Sequence, residues 1–438
     1  MRCNRPSLKA NMSFFFILFY NIVRVPLYLL IFIAGLFHVK IHKTIIGRRG
    51  LFCRLTQEMK RVPNEARRIW IHISSMGEFE QGLPLLKVLM NRYPNDWFVV
   101  SLFSPSVYDH MKWNHPRAII TYLPFDSYSQ VKRFLNLVRP SLHLVIRHDI
   151  WPNYQWVMQS RRIPSILVNA SISDHRLPSM RRFKYFYRQI YNTFSAVCAV
   201  SAPQLDRLGE IYRRPENIYV CGDTRFDRVM DRALDTDKIR FIMEAIDFGR
   251  SECLVVGSSW PSDEEIILPA LVQVMQAHPH FRLILAPHEI EENHLDALQK
   301  LLMGKGISVS RLAALQSRLE SRVLLIDRIG LLANLYALGQ FAMVGGGFGP
   351  GVHNVLEPAA HGAIVFYGPK HYNSPEARAM IDLKIAFSFS NSEQFAALLS
   401  NLLGDPPAIK ERSEKTKKFI DQNAGASSRT TDVISRFL

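Results

Sequence analysis

Five glycines occupy seven positions (Gly345, Gly346, Gly347, Gly349 and Gly351), and the polar residues His353, Asn354 and Glu357 follow, closed by Pro358. The short apolar segment Phe341–Val344 leads into them. Glycine puts no side chain between backbone and ligand, and a helix opening near Asn354 aims its first amides at an anion. Glu357 is then placed to accept hydrogen bonds from ribose hydroxyls. The expected chemistry is that of a nucleotide-sugar donor site, with a glycine-rich turn before a capped helix as the plainer alternative.

Four other stations carry similar chemistry. Ser74, Ser75, Met76, Gly77 and Glu78 directly follow the apolar run Ile69–Ile73. A carboxylate held at a strand end can serve as general base toward a sugar hydroxyl, although acids in a first helical turn also serve the helix itself. Arg147, His148 and Asp149 end the run Leu142–Ile146, where charged residues belong at the mouth of a site. Asp149 is read as orienting an acceptor or balancing charge, against a loop ion pair with Arg147. Arg225 offers a guanidinium to a leaving phosphate or a donor carboxylate, against a plain linker charge. Further on, Gly257–Trp260 precedes the acids Asp263, Glu264 and Glu265, and Pro287 and His288 end another apolar run. His288 is read as a contact to base or phosphate, and the acids as ligand contacts or simple N-caps. No spacing matches a metal site, so no metal is expected.

These residues need strand ends to hold them. Short apolar runs at Ile69–Ile73, Phe98–Leu102, Ile119–Tyr122, Leu142–Ile146, Ser165–Val168 and Ala196–Val200 alternate with helical patterns such as Gln81–Arg92 and Ser129–Val138. A second series runs through Cys253–Gly257, Arg282–Ala286, Val323–Ile326, Phe341–Val344 and Ile364–Phe366. The rhythm is that of parallel βαβ sheets, which bind ligands at the carboxyl ends of their strands. The predicted fold class is α/β of the GT-B type, two Rossmann-like domains facing a cleft behind an N-terminal membrane-anchor segment. Expected boundaries are 1–44 for the anchor, 45–224 for an acceptor domain and 225–438 for a nucleotide-sugar donor domain. The C-terminal stretch from Ala408 reads as a surface helix pair.

The 438 residues exceed one ordinary core, and the five cysteines show neither close sequence pairing nor metal spacing, which suits reduced thiols facing the cytosol. The formal charge of +16 asks for an anionic partner. Basic residues are spread along the chain without a nucleic-acid motif, so a membrane surface is preferred to nucleic acid. Met12–Val39 is almost wholly apolar, interrupted by Arg24 and Pro26 and flanked by Lys40, Lys43, Arg48 and Arg49. It reads as an anchor that spans the bilayer or lies in its interface, with the body in the cytoplasm.

Taken in order, Trp70–His72 leading into Met76–Glu78, Tyr122–Asp126, Asp149–Asn153 and Gly345–Pro358 resemble the motifs of the 3-deoxy-D-manno-oct-2-ulosonic acid (Kdo) transferases of lipopolysaccharide assembly. The resemblance runs from about Gly47 to about Asn373. It implies a metal-independent, inverting glycosyltransferase that moves Kdo from CMP-Kdo onto a lipid A precursor, lipid IVA, at the inner membrane. Carried over by position, it makes Glu78 the base and gives Asp149 and Arg225 charge-stabilising roles. It places CMP against Pro287 and His288, Ile329, Gly330 and Leu331, and Asn354, Val355, Leu356 and Glu357. Many relatives carry Glu at Asp149, Lys at Arg225 and Arg at His288. The resemblance implies no cofactor, CMP-Kdo being a co-substrate. The basic residues by the anchor are expected to hold the phosphates of the lipid. The alternatives are a GT-B transferase or epimerase using a UDP sugar, and a non-enzymatic basic protein tethered to a membrane.

Overall fold

The computed structural model describes residues 8–111, 113–246, 253–316 and 318–438. Two compact units divide the chain: Met1–Arg228 with Gly425–Leu438, and Val229–Ala424.

The first unit is built on a parallel sheet of β1 (Arg68–Ile73), β2 (Trp97–Leu102), β3 (Ala118–Tyr122), β4 (Leu142–Ile146), β5 (Ser165–Ala170), β6 (Ala196–Ala199) and β7 (Ile218–Val220). Its strand order is β3-β2-β1-β4-β5-β6-β7. Every residue of β4 and β5 is buried, as expected for strands covered by helices on both faces. Strand order reverses beside β1, which pairs with β2 on one side and β4 on the other. A crevice forms at such a reversal, outside the strands' carboxyl ends. The loops after β1 and β4 are those that carry Glu78 and Asp149.

The second unit repeats the plan with β8 (Cys253–Ser259), β9 (Arg282–Pro287), β10 (Val309–Arg311), β11 (Val323–Leu325), β12 (Phe341–Val344), β13 (Ile364–Tyr367) and β14 (Ala386–Ser388). Its order is β10-β11-β9-β8-β12-β13-β14, so the reversal lies between β8 and β12. Trp260 follows β8 and the glycine run follows β12. The sequence reading missed β7, β10 and β14, three-residue strands too short to show a period.

The C-terminus departs from the expected boundary at 225–438. Asp227 accepts hydrogen bonds from the amides of Gly425 and Ser427, both at 2.6 Å, and Gly425 takes the left-handed φ of 82° that the turn requires. The helix Ala426–Ile434 then joins the first unit, where Arg429 donates to the Cys221 carbonyl at 2.7 Å and Asp432 pairs with Arg92 at 2.5 Å. Two segments far apart in sequence thus build one core. Cys198 and Cys221 also meet there as free thiols.

The N-terminal helix runs unbroken over Leu8–Ala34 through Pro26. Its stretch Phe16–Ala34 is long and apolar enough to cross a membrane by length and composition, with mean hydropathy 2.1. One side is polar and tied to the first unit. Tyr20 donates to Asp126 Oδ2 at 2.7 Å, Asn21 to Asn153 Oδ1 at 2.9 Å, and Tyr28 Oη accepts from the Asp126 amide at 2.9 Å. Phe19, Ile22 and Val23 remain exposed.

The expectation that Arg48 binds lipid phosphate does not hold. Its guanidinium donates to the carbonyls of Thr44, Leu123 and Phe103 at 2.7, 2.7 and 3.1 Å. The rings of Phe103, Tyr122 and Phe125 enclose it, and burial lowers its pKa to about 10. It fastens the segment that follows the N-terminal helix to the sheet.

Candidate functional site

At the β1/β4 reversal, Ser75 caps the helix Met76–Arg92 and its Oγ accepts from the Glu78 amide at 3.3 Å. Glu78 reaches back, and its Oε2 accepts from the amide and the hydroxyl of Ser74, both at 2.7 Å. The side chain is 7 % exposed. The spacing of Ser75 and Glu78 is therefore a capping arrangement as well as a way to fix a carboxylate at a strand end.

Asp149 is held by a residue to which the sequence reading gave no role. His72, the fifth residue of β1, is buried, and its Nε2 lies 2.8 Å from Asp149 Oδ2, which also accepts from Trp151 Nε1 at 3.0 Å. Burial pushes Asp149 upward. Hydrogen bonds from His72 and Trp151, with the charges of His72 and Arg48, outweigh burial and hold the carboxyl below its usual range. The far side of the ring is ordered too. Trp70 Nε1 donates to Ser101 Oγ at 2.8 Å, and Ser101 Oγ is 2.9 Å from His72 Nδ1. The Ser101 carbonyl lies 3.2 Å from the same nitrogen, so both edges of the ring are held and Nε2 is kept facing Asp149. The signal lay in the sequence: a histidine alternating with isoleucines in Ile69–Ile73 points to a buried polar group needing a partner.

Arg225 opens the helix Thr224–Ala233, where Thr224 Oγ1 donates to the Gln81 carbonyl at 2.6 Å and so reaches the helix that carries Glu78. Its guanidinium is bound to Asp223, with Nε 2.9 Å and Nη2 2.8 Å from Oδ2. Arg147 adopts φ 71°, which turns the chain sharply at the end of β4. Burial, then the charges of Arg147 and Arg176, lower His148 to about 4.

In the second unit the glycine run is packed inward. A Cβ on Gly345 would lie 2.0 Å from the Ser258 carbonyl oxygen, and one on Gly347 would lie 2.4 Å from the Gly368 amide. The glycines are there for backbone to meet backbone. The amides of Gly346 and Phe348 donate to Asp263 Oδ2 and Oδ1 at 2.7 and 3.1 Å. Asp263 is fully buried and accepts also from the Trp260 amide at 2.9 Å. Those loop amides, expected to approach a ligand, are occupied by a carboxylate of the chain itself.

The helix expected from Asn354 begins at Leu356 and spans five residues, too short for a strong macrodipole. Asn354 is exposed, and its Oδ1 accepts from the Leu356 amide at 3.1 Å. Val355 and Leu356 bury their side chains completely, so only their backbone can meet a ligand. Glu357 is ion-paired to Arg232 at 2.8 Å. Pro287 ends β9 in the core and His288 emerges beside it. Ile329 is 83 % exposed, Gly330 has φ 87°, and Leu331 packs against the cluster containing Ala286 and Tyr336.

The accessible chemistry here is aromatic. Trp260 stacks on His288 with centroids 4.2 Å apart, and His288 on His353 at 4.8 Å. Trp260 Nε1 donates to His353 Nε2 at 2.9 Å. That bond makes Nε2 an acceptor and puts the ring proton on Nδ1, and burial and the neighbouring His288 lower the His353 pKa. Among the described residues, no group of three or more His, Cys, Asp or Glu converges as metal ligands.

Two doubly wound parallel sheets, each bearing polar residues at its reversal, define the GT-B fold. The fold is shared with UDP-GlcNAc 2-epimerase from Neisseria meningitidis bound to UDP-GlcNAc, at TM-score 0.61 and 14 % identity over 84 % of this chain and 100 % of that one. The chain is similar to the Kdo transferases: residues 49–228 match the family model for 3-deoxy-D-manno-octulosonic-acid transferase (kdotransferase). The 3-deoxy-D-manno-octulosonic acid transferase of Aquifex aeolicus is 26 % identical over 360 residues, 80 % of this chain and 90 % of that protein. A bifunctional glycosyltransferase/methyltransferase of Fusobacterium nucleatum is 24 % identical over 392 residues, and this chain spans only 58 % of its length.

Proposed function

We propose that the protein is an inverting, metal-independent glycosyltransferase that moves Kdo from CMP-Kdo to a hydroxyl of a lipid A precursor, lipid IVA, at the cytoplasmic face of the inner membrane. The observation that carries the reading is the coincidence of the family motifs with the sheet reversal in the first unit. Glu78 and the His72–Asp149 pair stand at neighbouring strand ends, where the topology binds ligands.

Transfer requires an acceptor hydroxyl to lose its proton while the bond from the anomeric carbon to the CMP phosphate breaks. Glu78, fixed by Ser74 through one oxygen, takes that proton at its other oxygen. Asp149, kept ionised by His72 and Trp151, balances positive charge as the sugar gains oxocarbenium character. In the first unit Arg225 is the residue proposed to answer negative charge on the donor, and in the second unit His288, Pro287, Ile329–Leu331 and Asn354–Glu357 are the proposed contacts to CMP. The N-terminal helix keeps the enzyme where its lipid acceptor resides.

The test is incubation of membranes containing the protein with CMP-Kdo and lipid IVA, with product mass as readout. Addition of one or more Kdo masses, unchanged by EDTA and inhibited by CMP more strongly than by UDP, supports the reading. Absence of any Kdo adduct, or inhibition by UDP in preference to CMP, overturns it.

A further inference from the structure

A cavity of about 520 Å³ lies in the first unit between the loop after β4, the helices Leu177–Arg182 and Lys184–Tyr191, and the N-terminal helix. Of the functional residues discussed above, His148 and Trp151 line it. Its floor is apolar, with Ile150, Met180 and Ile190 among the lining side chains, and its polar rim includes His148, His175 and Arg176. No carboxylate is among the lining residues. The volume falls in the range of roughly 300–1,000 Å³ usual for small-molecule sites.

Two features of its position select the ligand. Tyr20 of the apolar N-terminal helix forms part of the wall, and the neighbouring Phe19, Ile22 and Val23 are exposed. Trp151 lines the cavity and its Nε1 donates to Asp149 Oδ2 at 3.0 Å, so the cavity adjoins the candidate acceptor site. The adjoining helices add exposed Arg182 and Phe183, a basic and aromatic pairing suited to a membrane interface. We propose that this cavity holds one acyl chain of the acceptor, a phosphorylated and acylated glycolipid, with Arg176 and His175 meeting its anionic head. The proposal rests on the lipid-acceptor reading above. It adds the site that distinguishes an acylated acceptor from a bare sugar and seats the acceptor beside Asp149.

The full-length protein in detergent micelles is photolabelled with a lysophosphatidate carrying a terminal diazirine, and with a monoacylglycerol of the same chain. Labelling is mapped by peptide mass. Label concentrated in residues 148–152 and 175–191, at least fivefold stronger for the phosphate-bearing probe and displaced by lipid IVA but not by phosphatidylglycerol vesicles, supports the site. Ser179→Trp, at an exposed lining position, plugs the cavity and is expected to cut labelling at least fivefold with CMP binding unchanged. Arg176→Glu is expected to keep labelling but abolish the preference for phosphate, a result that misfolding would not give. Label spread along the exposed face of the N-terminal helix and insensitive to both variants overturns the site, even where Kdo transfer is observed. Labelling with the expected selectivity in a protein that adds no Kdo keeps the site and overturns the transferase reading.

Discussion

At the β1/β4 reversal carboxylates stand beside the strand ends, each fixed through one oxygen, whereas at the β8/β12 reversal the carboxylate is sealed under the loop it organises. Glu78 is fixed through Oε2 and Asp149 through Oδ2. Asp263 spends both oxygens on three backbone amides and is fully buried. What the second unit presents outward is the stack of Trp260, His288 and His353. The same topology thus offers acid–base groups in one unit and flat rings with imidazole donors in the other. Under the proposed function, the first unit's groups are those a base for an acceptor hydroxyl needs, and the second unit's rings are those a nucleotide stacks on.

The largest expected effect comes from removing the sealed carboxylate. Asp263→Ala strands three amides in the interior, each costing about 1–3 kcal/mol when left unpaired, for a total of about 3 kcal/mol or more. Urea unfolding is expected to show the second unit destabilised by that amount, with CMP binding lost. Wild-type stability and CMP affinity in this variant would break the comparison.

Glu78→Gln is expected to leave both the fold and CMP affinity nearly unchanged, since a glutamine oxygen can still accept from Ser74. Its turnover with CMP-Kdo and lipid IVA should fall by about 10²–10⁴, the usual contribution of a general base. A wild-type rate would reduce Glu78 to a helix cap.

Asp126 sharpens the contrast, because it is buried like Asp263 without being fully paired. Its Oδ1 has no hydrogen-bond partner, and burial pushes its pKa up to about 6. A carboxyl whose folded pKa lies above its unfolded value favours the folded state below about pH 4, and that advantage is lost as pH rises through about 6. Asp126→Asn keeps an acceptor for Tyr20 and removes the buried charge. It is expected to stabilise the protein by up to ~3 kcal/mol at pH 8 and by nothing below pH 4. Chemical denaturation in mild detergent across that range reads the difference. A gain that does not change with pH would mean that charge burial is not its cause.

Most of this architecture is legible in the residues. The long buried strands announce themselves because a parallel sheet covered on both faces demands continuous apolar runs, and Glu78 and Asp149 are visible because they end two of those runs. The remainder depends on tertiary partners that no local pattern encodes. Nothing in the spacing of Gly345–Gly351 says that Asp263, some eighty residues earlier, occupies its amides. Arg48 reads as a surface cation until the rings of Phe103, Tyr122 and Phe125 are folded around it. Asp227 returns the last helix to the first unit through contacts about two hundred residues apart.

The smallest expected effect probes the outward-facing side of the second unit. An indole N–H donates and never accepts, so Trp260 forces His353 to keep Nε2 unprotonated and to present Nδ1–H. Trp260→Phe keeps a ring for His288 to stack on while deleting that one hydrogen bond. Losing it is expected to cost the second unit about 1 kcal/mol of stability in urea unfolding and to weaken CMP binding by releasing the His353 tautomer. The His353 pKa, now held down by burial and by His288, should rise once Nε2 is free to take a proton. CMP binding should therefore weaken on acidification as His353 is protonated, if its fixed tautomer is what the cytidylate reads. If binding tightens on acidification instead, the phosphate's demand for positive charge outweighs the tautomer, and His353 belongs with the leaving group and not with the base.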